Sequence, residues 1–222
     1  MGDLGRTRLA ALVAVAMAAV GVRAAASGPV NGIGYTVLAT SRDGETWHRY
    51  REPFFDRNPK PGTWDHAMTW VGAVLPVGDE VFLYYGGYAR GHKVSRHTDR
   101  QLGLARIRKD GYVSLRAGTQ DGSLTTKPLI FSGAALTLNV AVADGGVVRV
   151  AVQDDQGHAL PGLRLAECDP VVGDHIARTV TWKGNSDLST LAGKPIRLRF
   201  VMRSADLYAF RFASSAESGH GR

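Results

Sequence analysis

The stretch "LATSRDGETWHRY" (Leu38–Tyr50) is typical of a β-hairpin, with an apolar strand, an Asp-Gly turn and a second strand that begins with an aromatic residue. A related stretch, "LARIRKDGYVSL" (Leu104–Leu115), occurs once more, with one extra residue before its turn. No third copy follows. Two related hairpins in one chain indicate the outer hairpins of two successive structural repeats.

The strands between the two hairpins define the size of the repeat. The turn signals "VGDE" (Val77–Glu80) and "KDG" (Lys109–Gly111) join neighbouring strands, so Ala67–Leu115 is predicted to form four consecutive antiparallel strands. Four strands in about 50 residues are the size of one β-propeller blade, and Tyr35–Tyr50 matches the last two strands of another. Residues 27–117 are therefore predicted to form about one and a half blades of a partial β-propeller. The predicted strands are Tyr35–Thr40, Glu45–Tyr50, Ala67–Leu75, Glu80–Gly86, Leu102–Arg108 and Gly111–Leu115.

The second half of the chain has a different pattern. Apolar and polar residues alternate in "LTLNVAV", "VVRVAVQD" and "IRLRFVM", so each strand has one solvated face. This predicts an antiparallel β-sandwich over residues 118–215, followed by a disordered tail at 216–222. After the first residues no segment keeps the apolar spacing of an amphipathic helix for three turns, so the fold class is all-β. The predicted strands are Leu124–Ser132, Ala135–Val142, Gly146–Asp154, Leu163–Glu167, His175–Trp182, Pro195–Met202 and Asp206–Phe212.

The first 26 residues read as a Sec-type signal peptide. Arg6 and Arg8 precede the apolar run Leu9–Val22, and small residues at Ala24 and Ala26 suit a signal peptidase. The alternative is a membrane anchor, but a spanning helix needs about 20 apolar residues and this run is shorter. We expect an exported protein, periplasmic or extracellular, with no membrane attachment after cleavage.

Charge and cysteine content exclude other classes. The net charge is +7, but the basic residues are scattered along strands, as in "IRLRF", which disfavours nucleic-acid binding. Cys168 is the only cysteine, so no intrachain disulfide forms; we interpret it as a buried apolar residue rather than a reactive thiol. The histidines lack metal-ligand spacing, so no cofactor is expected; a structural Ca²⁺ in the sandwich turns stays open without a specified site.

A set of short motifs then points to a family. In order they are "SRDGETW", "GTWDHAMTW", "DEVFLYYGGYARGH", "QLGLARIRKDGYVSLRAG", "TKPLIF", "LTLNV", "TVTWKGNSDLSTLAGKPIRLRF" and "ADLYAFRF". Together they resemble the C-terminal part of exported bacterial proteins related to glycoside hydrolase families 32 and 43, over residues 34–213. Those proteins have a five-bladed β-propeller followed by a β-sandwich.

The resemblance implies a carbohydrate substrate or ligand. Glycoside hydrolysis uses two carboxyl groups, one as acid and one as nucleophile or base. The family's first-blade Asp has no counterpart here, so we expect an incomplete glycoside hydrolase-like protein that acts on or binds a carbohydrate, with a partner chain covering exposed blade edges. Whether the chain catalyses hydrolysis alone stays open at this point. The alternative is a non-catalytic carbohydrate-binding or structural β-sandwich module; a third reading is a degenerate gene product.

Candidate site residues cluster around "GTWDHAM". Asp65 is the candidate catalytic carboxylate, because it lies where the innermost strand of the complete blade should begin; the alternative is an Asp that caps a turn. His66 should point away from Asp65, and Tyr84 and Tyr85 should face opposite sides of the sheet. Glu167, in the sandwich half, is interpreted as structural. The candidate substrate-binding residues are Trp64, His66, Tyr85, His92 and Lys93. The alternative is that they are ordinary packing residues and residues of a solvated loop.

Overall fold

The computed structural model describes residues 14–21, 32–91 and 99–214, the first of these ranges as backbone only. These ranges contain strands and one short 3-10 helix but no α-helix, which confirms the all-β fold class. None of their helices is long and apolar enough to cross a membrane. The elements are β1 (Ala14–Gly21), β2 (Gly34–Ser41), β3 (Trp47–Phe55), β4 (Met68–Val77), β5 (Glu80–Tyr88), β6 (Arg100–Arg108), β7 (Leu115–Ala117), β8 (Gly122–Thr125), β9 (Ala135–Gln153), β10 (Asp174–Thr179), the 3-10 helix Ser189–Leu191 and β11 (Arg197–Ala213).

The chain divides into two compact units, which we call the N-terminal unit (residues 1–107) and the C-terminal unit (residues 108–222). This division comes earlier than the boundary predicted at 117/118. Arg108 accounts for the earlier position, because its guanidinium donates to Asp174 Oδ1 at 2.7 Å and to the His175 carbonyl at 2.9 Å. His92 and Lys93 lie outside the described residues, as do residues 1–13, 22–31 and 215–222.

The N-terminal unit contains one sheet, ordered β1-β2-β4-β5-β6, with β3 paired to β2. The hairpin β2–β3 reproduces the predicted strands around the Asp-Gly turn, and β4–β5 forms a second antiparallel hairpin closed by Val77 and Glu80. β2 and β4 meet in parallel at Gly34 and Met68. The backbone of β1, which falls in the predicted signal segment, pairs along the whole of β2.

The fourth strand predicted for the complete blade is wrong. Residues 111–114 form no strand, and β7 pairs with β11 in the other sheet, with Leu207 opposite Leu115. The chain turns away because Asp110 adopts φ 54° and the Gly111 N–H donates to the Arg108 carbonyl at 3.0 Å. Ser114 Oγ then donates to Asp206 Oδ1 at 2.6 Å. This blade therefore has three strands in the sheet.

The C-terminal unit contains a second sheet, ordered β10-β9-β11-β7, with β8 also on β11. β9 has 19 residues and would extend about 60 Å if straight. Its pairing with β11 jumps from Val147 opposite Arg203 to Val142 opposite Ala205, and Ser204 has φ 46° at the jump. The two predicted strands Ala135–Val142 and Gly146–Asp154 are thus the two halves of β9, and β11 joins two predicted strands in the same way.

The halves of β9 and β11 enclose one core. Alternate residues of both halves are buried in a single hydrophobic cluster, which confirms the predicted sandwich. Each large apolar side chain buried in this way contributes about 1.5–3 kcal/mol. The strand residues of the cluster include Leu136, Leu138, Val140, Val148, Val150, Val152, Leu198, Phe200 and Met202.

Two strand predictions in this unit are wrong. Leu163–Glu167 is a turn, because the Arg164 N–H donates to Glu167 Oε2 at 3.2 Å and the Glu167 N–H donates to the Arg164 carbonyl at 3.0 Å. Of Leu124–Ser132, only the start belongs to β8, and Leu129 adds an isolated bridge to Ile196. Glu167 also pairs with Lys183, whose Nζ lies 3.2 Å from Oε1. Cys168 beside it is 2% exposed, and burial raises the pKa of its thiol.

Candidate functional site

A cavity of about 510 Å³ lies in the N-terminal unit between the loop before β4 and the start of β6. It receives side chains from three separate stretches of sequence, which the β4–β5–β6 pairing brings together. Its described lining residues are Pro61, Gly62, Trp64, His66, Ala89, Arg90, Asp99 and Gln101.

The loop before β4 is held by its own hydrogen bonds. The Asn58 N–H donates to the Asp65 carbonyl at 3.1 Å, and the His66 N–H donates to the Thr63 carbonyl at 3.2 Å. His66 Nδ1 lies 2.9 Å from the Asn58 carbonyl. A carbonyl oxygen only accepts, so Nδ1 carries the proton; in the neutral ring Nε2 is then the acceptor. The loop therefore presents an imidazole of defined tautomer.

Trp64 is positioned by a cradle of two glycines. A Cβ at Gly103 would lie 2.6 Å from Trp64 Cη2, and a Cβ at Gly87 would also overlap the indole ring. The indole stacks on Tyr85 with a centroid distance of 5.4 Å and an interplanar angle of 19°. Phe55 packs edge-on against the same Tyr85 ring, with 4.6 Å between the two ring centroids. Missing side chains on β5 and β6 thus create the space that holds the indole at the cavity.

Asp65 lies between two lining residues but is not part of the lining. Its Oδ1 is buried and accepts no hydrogen bond within the described ranges. Burial, and then the neighbouring Asp65 charge, raise the pKa of Tyr85, so the phenol keeps its proton at neutral pH. A buried carboxylate oxygen without a donor is unfavourable by about 1–3 kcal/mol. The arrangement separates Asp65 from Trp64 and His66, and its catalytic role stays a prediction.

Three polar lining residues were missed by sequence reasoning. Arg90 Nη2 lies 2.6 Å from Asp99 Oδ2, and the Ala89 N–H donates to the Asp99 carbonyl at 3.2 Å. Gln101 follows on β6. The signal that could have found this pair is its place at the two ends of one long polar loop, with opposite charges. The ion pair closes that loop beside the cavity.

The structure brings together four of the predicted residues. Trp64 and His66 line the cavity, while Tyr85 and Asp65 lie behind Trp64. Tyr84 pairs with Ala73 and Tyr85 with Val71, so adjacent residues of β5 point to opposite faces of the sheet as predicted. The described residues contain no group of three or more His, Cys, Asp or Glu that could hold a metal ion.

Comparisons with known proteins find little. No family model and no curated protein matches the chain. Among solved structures, it is similar to a glycoside hydrolase family 43 arabinoxylan arabinofuranohydrolase from Bacillus subtilis in complex with cellotetraose, with 12% identity and a TM-score of 0.25. The match covers 88% of this chain and 51% of that one, so the chain spans about half the length of that structure. The function is therefore argued from the site itself.

Proposed function

We propose that this protein binds carbohydrate in the cavity beside Trp64 and His66. The observation that supports it is an indole held at a cavity of about 510 Å³ together with an imidazole, an amide and an ion pair. Cavities of about 300–1,000 Å³ with an aromatic wall and a few polar groups are typical of small-molecule sites. An aromatic face suits the C–H face of a sugar ring, and the polar groups suit its hydroxyls.

The electrostatics favour a neutral sugar. The charged groups of the described lining are Arg90 and Asp99, which neutralise each other at 2.6 Å. His66 and Gln101 add hydrogen-bonding side chains to the lining. A charged sugar would need an opposite charge in the lining, but each charge of this ion pair is already neutralised by the other. The substrate class in the proposal is therefore a neutral oligosaccharide.

The resemblance to glycoside hydrolase families 32 and 43 supports the same substrate class. Within the proposal, the protein is glycoside hydrolase-like and exported, with residues 1–26 removed as a signal peptide. A glycan outside the cell suits both an exported destination and a neutral sugar site. Mass spectrometry of the secreted protein tests the export part, with a mature N-terminus at Ser27 as the expected result.

Calorimetric titration of the full chain with cellotetraose, xylotetraose and arabinoxylan oligosaccharides tests the binding part. We expect at least one of them to bind and Trp64→Ala to weaken it about tenfold or more, which corresponds to about 1.4 kcal/mol. Trp70→Ala is the matched control, since Trp70 is 46% exposed and lies outside the cavity lining. Gln101→Ala is a second lining variant, and it removes a smaller, exposed side chain. Equal affinity of wild type and both lining variants would contradict the proposal.

Hydrolysis through Asp65 is the second candidate function. The supporting observation is its buried Oδ1 without a described donor, although the carboxylate also takes a hydrogen bond from Tyr85, because a buried polar atom without a partner needs an explanation such as a functional role. The described lining offers only Asp99 as an acid, and Asp99 is ion-paired, whereas hydrolysis needs two carboxyl groups. Affinity without turnover of aryl-glycosides is thus the expected result. Turnover that Asp65→Asn abolishes while binding persists would establish the second candidate instead.

A further inference from the structure

The outer edge of β6 has no strand partner within the described ranges. The sheet order of the N-terminal unit ends at β6, and the predicted fourth strand of this blade lies elsewhere. An edge strand of nine residues presents backbone N–H and C=O groups at every second residue. Natural proteins usually shorten, cover or twist such an edge. A long open edge is therefore a feature that needs an explanation.

Contacts between β5 and β6 fix which side chains lie on each face. Leu102 falls opposite Gly86 and Leu104 falls opposite Tyr84 in the antiparallel register that these contacts require. Gly86 presents no side chain to Leu102, which is 76% exposed, the highest value among the large apolar residues in the described ranges. The contacts are Arg100 over the Tyr88 ring at 4.5 Å, Gly103 beside Tyr85, and Arg106 over the Phe82 ring at 4.7 Å.

Four alternate residues of β6, including Leu102, lie on one face of the strand. Arg100, Leu102, Leu104 and Arg106 are all exposed, and β6 contains no acidic residue. Arg106 has Glu80 at 3.6 Å, with both side chains about half exposed, a geometry that contributes little. We call these four residues and the open backbone beside them the β6 edge surface. Its pattern along the strand is positive, apolar, apolar, positive.

We propose that the β6 edge surface docks an extended segment of a partner protein whose alternate residues are acidic, apolar, apolar and acidic. The incoming strand would complete the blade by backbone hydrogen bonds, with its apolar side chains on Leu102 and Leu104. Its carboxylates would meet Arg100 and Arg106. The interaction goes beyond carbohydrate binding, because Gln101 of the cavity points to the other face of β6.

Charge complementarity favours this occupant over a second copy of the chain. An antiparallel β6–β6 pair centred on Gly103 would place Arg100 of each copy opposite Arg106 of the other, so two pairs of like charges would meet. Like charges directly opposite each other destabilise a strand pair. An acidic strand replaces each of these clashes with an attraction. The arginines therefore disfavour self-pairing while leaving the edge open to an acidic partner.

A synthetic peptide, fluorescein-Glu-Thr-Val-Thr-Val-Thr-Glu-amide, tests the proposal by fluorescence anisotropy with the full chain. Its pattern is symmetric, so it can pair in either direction. We expect saturable binding that weakens as NaCl rises, because salt screens exposed charges. A peptide with Lys for both Glu residues should bind at least tenfold more weakly. A peptide with Pro for the central Thr should also lose affinity, since it lacks a backbone donor.

A charge swap in the protein gives the stronger test. In the Arg100→Glu, Arg106→Glu double variant, the affinity for the Glu peptide should fall at least tenfold and the affinity for the Lys peptide should rise. The matched control is Arg49→Glu, Arg51→Glu, which makes the same charge change on exposed β3 and should leave both affinities unchanged. Equal binding of the two peptides, or no swap in the double variant, would overturn the proposal. So would a dimer in sedimentation that Leu102→Arg dissociates, since the occupant would then be a second copy.

Discussion

The two units are built from similar strands but differ in how much apolar surface they bury. Of the twelve largest fully buried side chains in the described ranges, ten belong to the C-terminal unit and only Val37 and Leu83 to the N-terminal unit. Of the twelve exposed large hydrophobic residues, eight belong to the N-terminal unit. The C-terminal sheet folds over itself at Ser204 and encloses its apolar face, whereas the other sheet ends at β6. The two units thus differ in whether the sheet encloses its own apolar face, and not in how many residues form strands.

The largest expected effect is in the sandwich core. Phe200→Ala removes a side chain with no exposed surface and should lower the free energy of unfolding by about 3–5 kcal/mol. Leu102→Ala removes an apolar side chain that is 76% exposed and should change it by less than about 0.5 kcal/mol. Urea denaturation followed by circular dichroism measures both. A cost below about 1 kcal/mol for Phe200→Ala would contradict the closed core.

A second prediction concerns the glycine cradle of the N-terminal unit. Gly103→Ala places a Cβ 2.6 Å from Trp64 Cη2 and should lower stability by about 1–3 kcal/mol through overpacking. Gly72→Ala is the matched control on β4, because nothing lies within 4 Å of its Cβ and its φ is not positive. Thermal unfolding compares the two variants. Similar midpoints for both would mean that the cradle does not hold Trp64.

Local sequence signals predicted part of this architecture. The hairpins β2–β3 and β4–β5 followed from their turn residues, and the alternation in β9 and β11 followed from the two-residue period of a strand. The prediction of a strand at Gly111–Leu115 was wrong because Ser114 and Arg116 bind Asp206, which lies 92 and 90 residues away from them in sequence. A contact at that separation leaves no local signal in "YVSL".

The site was predictable to a similar depth. Trp64 and His66 were found because they flank Asp65 at the start of the predicted innermost strand, and Tyr85 because it is an aromatic residue on the next strand. Arg90 and Asp99 were missed because they lie just beyond the ends of β5 and β6. Local periodicity predicts which residues of a strand share a face, and it does not predict which side chains pair beyond the strand ends.

The third prediction uses acid to test the turn of the first hairpin. The Asp43 carboxylate accepts from the Thr46 N–H at 2.7 Å and from the Glu45 N–H at 2.9 Å, and these bonds hold its pKa well below the usual range. Its stabilising effect is therefore present above the unfolded pKa of about 4 and is lost as the pH falls toward the folded pKa.

Amide proton shifts of Glu45 and Thr46 measured across an acid titration would report this pKa. We expect their midpoint to lie below the normal aspartate range and to vanish in Asp43→Asn. A midpoint near 4 would show that these hydrogen bonds do not persist in solution.

The smallest expected effects are at the surface of both units. The exposed ion pairs Arg106–Glu80, at 3.6 Å, and Arg203–Asp121, at 3.7 Å, should each contribute less than about 1 kcal/mol. Glu80→Gln and Asp121→Asn should therefore give nearly unchanged urea midpoints in the two units. A clear loss in one unit alone would show that surface charge, and not core closure, distinguishes their stabilities.

The most direct test of the carbohydrate site is calorimetric titration of wild type, Gly103→Ala and Gly72→Ala with the same oligosaccharides. The account predicts that an oligosaccharide bound by wild type loses at least tenfold in affinity in Gly103→Ala, where the Cβ overlaps both the Tyr85 ring and the Trp64 indole stacked on it, and keeps its affinity in Gly72→Ala. No binding by any oligosaccharide, or equal affinity in all three proteins, would contradict it.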